Sequence, residues 1–147
     1  MATNTHFKFI EWRDTAGLYK DTANTILDLK FLKDELRFLE DLVSEHTLEL
    51  IYGKNSEESK AIIKELTAHS KRLDVLMTKL NAHSKELKVF VDEDDNQGEL
   101  QFYKNEHYTL LLEEMDFHAD LKKTKRQIFK MLSEIMKKSK QKQLPNK

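Results

Sequence analysis

The chain reads as an all-α protein, an elongated antiparallel up-down-up bundle of three long helices. Three observations predict it. From Ile62 the apolar positions run Ile62, Leu66, His69, Leu73, Leu76, Leu80, His83, Leu87, Phe90, in alternating steps of four and three, which is an a/d heptad seam. Turn formers are scarce, with three Gly and one Pro in 147 residues. Charged residues at 35% and apolar ones at 39%, rich in Lys, Glu and Leu, are the composition of long helices.

The first helix is expected over about residues 15–52. Its seam reads Leu29, Leu32, Leu36, Leu39, Val43, His46, Leu50. Gly53 stands in the usual C′ position, and Asn55 with Glu58 three residues on has the spacing of a capping box for the next helix. The second helix is expected over 57–91, closed by the acidic, glycine-containing run Asp92 to Gly98. The third is expected over 99–138, with seam positions including Leu100, Tyr103, His107, Leu110, Glu114, Phe117, Leu121, Thr124 and Ile128. Residues 139–147, basic and containing Pro145, read as a frayed tail of a single 1–147 domain.

Helix one carries a second apolar stripe of Leu27, Phe31, Phe38 and Leu42. A three-helix bundle needs one seam per helix, so the surplus asks for a fourth element. Phe7 to Trp12 could supply it, or a second subunit; a homodimer or protein partner is the expectation, with Phe31, Phe38 and Leu42 as the interaction residues.

Composition excludes several functions. With no cysteine there is no disulfide framework, thiolate metal site or cysteine nucleophile. The start lacks the pattern of a signal peptide, and no run approaches the roughly 18 apolar residues of a membrane span. A cytoplasmic location is the default expectation. The net charge of −1 hides a net of +8 over residues 119–147 and −9 over the rest. That basic end has no interleaved aromatics and no recognised module, which disfavours nucleic-acid binding. Gly17, Gly53 and Gly98 stand apart, so there is no phosphate loop, and no serine has an oriented base. The chain leans towards a non-enzymatic role.

His69 and His83 are the polar exceptions on the second seam. In an antiparallel pair, residues equidistant from the connecting loop share a height. That register sets His83 level with His107, and His69 near His118, Glu114 and Glu35. The two histidines are about 21 Å apart along a helix, so they cannot share one ion. Two readings stand. Inward imidazoles and carboxylates on facing helices are how bundles hold Zn, Fe or Mn, which would make a site of Glu35, His69, Glu114 and His118, or of His83 with His107. Ferritin-like proteins double a Glu-x-x-His motif that is missing here, and the hemerythrin ligand order is not matched. Alternatively the histidines are structural polar residues that fix register, with no cofactor.

The run Leu29-Lys30-Phe31-Leu32-Lys33-Asp34-Glu35-Leu36-Arg37-Phe38, followed by a helix carrying His69 and Asn81-Ala82-His83, resembles small uncharacterised helical proteins of Bacteroidetes. The resemblance implies a helical bundle and no particular activity.

Overall fold

The protein is an all-α bundle. The computed structural model describes residues 13–53, 56–92 and 97–143, and contains no strand among them. Its helices are α1 (Thr15–Glu45), α2 (Thr47–Tyr52), α3 (Ser56–Asp92) and α4 (Gln97–Gln143). The segment Phe7 to Trp12, the expected cap Asn55, residues 93–96 of the expected acidic breaker and Pro145 lie outside the described residues.

α1 starts where a side chain satisfies its free amides. Asp14 Oδ1 accepts from the Gly17 N–H at 2.8 Å, the contact of an N-cap aspartate. The expected helix over 15–52 is interrupted at His46, which sits outside both α1 and α2. Thr47 bonds back to the turn before the interruption. Its hydroxyl donates to the carbonyls of Ser44, at 2.8 Å, and Val43, at 3.2 Å. Meanwhile the His46 N–H reaches only to Val43, three residues back. Such local bonds compete with the helix ladder and tighten or break it.

Gly53 ends α2, but not in the left-handed conformation usual for a C′ glycine: its φ is −79° and its ψ 179°. What requires glycine there is space. A Cβ would run into the Glu49 carbonyl oxygen, which is backbone and cannot swing aside. Gly53→Ala is therefore expected to destabilise by about 1–3 kcal/mol, read as a lower denaturant midpoint at unchanged slope.

α4 continues to Gln143, past the expected end at 138. The residues Lys138 to Gln143 are Lys, Gln and Ser, of good to fair helix propensity, and cations suit a helix C-terminus.

The chain divides into two compact units, Met1–Leu32 with Arg72–Phe117, and Lys33–Lys71 with His118–Lys147. In the first, Leu18, Leu87, Phe90, Leu100 and Leu111 form a buried cluster flanked by Tyr19 and Tyr103. Lys79 meets Glu113, His83 meets His107 and Phe90 meets Tyr103. Rising numbers on α3 meet falling numbers on α4, so the two helices are antiparallel. Phe117 is fully buried, with the Arg72 guanidinium 5.5 Å from its ring centroid. In the second unit Val43, Leu50, Ile62, Ile63, Ile128 and Met131 converge on one small gap.

The seam of α3 is buried at every expected position except His69, which is half-buried. On α1 the seam runs further back than its leucines suggest. Thr15, Leu18, Thr22 and Thr25 continue the three-four spacing ahead of Leu29, and all four are buried. Thr22 and Thr25 donate their hydroxyls to carbonyls four residues back, Leu18 at 2.8 Å and Asp21 at 2.9 Å. A threonine bonded to its own helix presents a methyl to the core and carries its polar atom in satisfied form.

Candidate functional site

The polar centre of the first unit is the pair His83 and His107, both buried. α3 carries His83 inward because it lies seven residues after Leu76 and seven before Phe90 on one seam. α4 carries His107 inward three residues before Leu110. The rings are tilted by 34° with centroids 5.3 Å apart, and His83 Nε2 lies 3.1 Å from His107 Nδ1. The Thr22 hydroxyl approaches the same His107 nitrogen at 3.4 Å. Thus α1, α3 and α4 each contribute one polar group to the contact. The level pairing of 83 with 107 expected from the loops is the one found.

The other nitrogen of His83 is in a different position. Nδ1 is buried and has no hydrogen-bond partner among the described residues. It faces Glu106, whose Oε2 is 3.7 Å away, beyond hydrogen-bond range. Glu86, one turn along α3 from His83, completes the surroundings; the donor atoms of His83, Glu86 and Glu106 all lie within 4.8 Å of one another. Burial pushes the His83 imidazole below its ordinary pKa, and the Glu86 carboxylate opposes that only in part. His83 is therefore neutral at pH 7. Glu106 also faces outward, onto an open groove lined by Lys79, Ala82, Phe102, Asn105 and Thr109.

Glu86 and Glu106 are not on the seams, and the seam pattern alone passes over them. The signal that finds them is the spacing His83-x-x-Glu86 on α3, at the height of the adjacent pair Glu106-His107 on α4.

The second set of expected residues is occupied differently. Glu35 Oε1 is held by Lys125 Nζ at 2.7 Å. His69 Nε2 lies 2.8 Å from the buried Thr124 hydroxyl, and that hydroxyl donates to Glu65 Oε2 at 3.3 Å. A hydroxyl that gives its proton to Glu65 must accept from His69, so Nε2 of His69 carries the proton and is turned to structural use. Glu114 is half-buried and His118 exposed, both on α4. None of the four belongs to the group around His83.

The second stripe of α1 lies on the outside. Leu27 is 52%, Phe31 64% and Phe38 55% exposed, while Leu42 is half-buried. Spacings of four, seven and four place them on one face of the helix. No helix among the described residues is long and apolar enough to cross a membrane.

Comparison with protein-family models, with curated proteins and with solved structures returns no match.

Proposed function

We propose that the protein is a non-enzymatic interaction module that self-associates through the outer face of α1. The exposure of Phe31 and Phe38 on one helical face supports this reading. Isolated exposed apolar residues are ordinary on a protein surface, whereas several large ones in helical register are characteristic of an interface. Burying such side chains contributes about 1.5–3 kcal/mol each. The flanking residues suit a rim: Lys30, Asp34, Arg37 and Asp41 are exposed and of both signs. A second copy of the same helix offers a matching stripe, which is the self-complementary surface of a two-fold dimer.

Light scattering over a concentration series tests it. The wild-type chain is expected to become dimeric with rising concentration, and Phe31→Glu with Phe38→Glu to remain monomeric. Both positions are solvent-facing, so the melting temperature of the monomer should move little. A wild-type chain that stays monomeric at the highest concentration, or a double variant that dimerises as well as wild type, removes the proposal.

A further inference from the structure

His83 Nδ1 is a buried nitrogen facing two carboxylates, and the protons available around it show what it lacks. The Thr22 hydroxyl donates to the Leu18 carbonyl at 2.8 Å, so it does not supply the proton between the two imidazoles. That proton sits either on His83 Nε2 or on His107 Nδ1. In the first case His83 Nδ1 is a bare lone pair turned towards Glu106 and Glu86. In the second, with His83 neutral, Nδ1 holds the ring proton, but the nearest carboxylate oxygen is 3.7 Å away and no hydrogen bond forms. Both arrangements leave the nitrogen unsatisfied in a place ringed by negative charge. A cation at that point satisfies the nitrogen and both carboxylates together.

The geometry points to a site for one divalent transition-metal ion, of the Zn(II), Fe(II) or Mn(II) class, held by His83 Nδ1, Glu86 and Glu106. One imidazole with two carboxylates is a donor set these ions share. Their donor atoms lie about 3.4 Å apart around a tetrahedral ion with bonds near 2.1 Å. The present group is within 4.8 Å, and rotation of two glutamates at the protein surface closes the difference. The orienting contact is already in place. An ion on Nδ1 selects the tautomer in which His83 Nε2–H donates to His107 Nδ1 across the 3.1 Å contact, the kind of outer hydrogen bond that orients metal-bound histidines. Glu86 is exposed and Glu106 borders an open groove, so the carboxylate side of the site is reached from solvent. The site uses neither Glu35 nor His69, and it stands independently of dimerisation through α1.

The test uses the full chain without an affinity tag, stripped with EDTA and desalted, and Zn(II) as the probe. Calorimetric titration is expected to give one Zn(II) per chain, and Glu86→Gln and Glu106→Gln each to weaken it by more than about 100-fold. Neither carboxylate is buried, so both variants should fold as wild type by circular dichroism. On labelled protein, Zn(II) should move the Nδ1 resonance of His83 and leave the His69 ring unchanged. Absence of Zn(II) binding, equal affinity in both glutamine variants, or a shift of His69 in place of His83 would each overturn the site.

Discussion

Phe117→Ala is expected to lower unfolding free energy by about 3–5 kcal/mol, the range for deleting a buried aromatic ring. Phe117 is the largest fully buried side chain, and it sits at the α4 edge of the first unit. The loss has two parts. Apolar surface returns to water, and a cavity remains because long helices cannot close radially around one missing ring. The Arg72 guanidinium, stacked on the ring, loses its aromatic face as well. For a chain of this length a loss of that size corresponds to roughly 10 °C in melting temperature. Phe117→Leu keeps most of the volume and should cost well under half as much. Equal losses for Ala and Leu in urea titrations would show that the ring is not packed as described.

Acidification is expected to destabilise the metal-free protein through His83. Its folded pKa lies below the ordinary imidazole value because burial disfavours the cation. The unfolded chain therefore binds more protons as pH falls through about 6.5. Stability is fully present above that value and is lost as pH falls towards the folded pKa, at no more than about 1.4 kcal/mol per pH unit for this one group. The groups facing it are His107, Glu106 and Glu86. Denaturant midpoints measured in EDTA from pH 7.5 to 5.5 read the slope. His83→Leu should flatten it, and a slope unchanged in that variant would assign the effect elsewhere.

The pairing of His83 with His107 was legible from the position of the loop between their two helices, because antiparallel geometry leaves little freedom in height. The α3 seam was legible for the same kind of reason, being a repeat in spacing. What spacing could not convey is how individual hydroxyls and carboxylates are used. Thr15, Thr22 and Thr25 look polar in a string of letters, yet bonding back to their own helix lets Thr22 and Thr25 serve as core residues. The interruption at His46, where Thr47 bonds back to Ser44 and Val43, is not revealed by propensity. Thr124 draws His69 into a chain ending on Glu65, a link that seam spacing does not announce. Glu86 and Glu106 flank the seams, and only their height relative to His83 gives them meaning.

The threonines of α1 also bear on how the first unit opens. A half-helix whose buried seam positions are Thr15, Thr22 and Thr25 around the single leucine Leu18 brings less apolar surface to the core than the leucine-rich stretch from Leu29 onward. Opening the unit through this half-helix therefore exposes less apolar surface than opening it through a leucine-lined one. Since Thr22 lies against His107, this same fluctuation governs how often solvent reaches the imidazole pair. Protons on the imidazole pair would then exchange through release of one helix end, ahead of unfolding of the first unit as a whole.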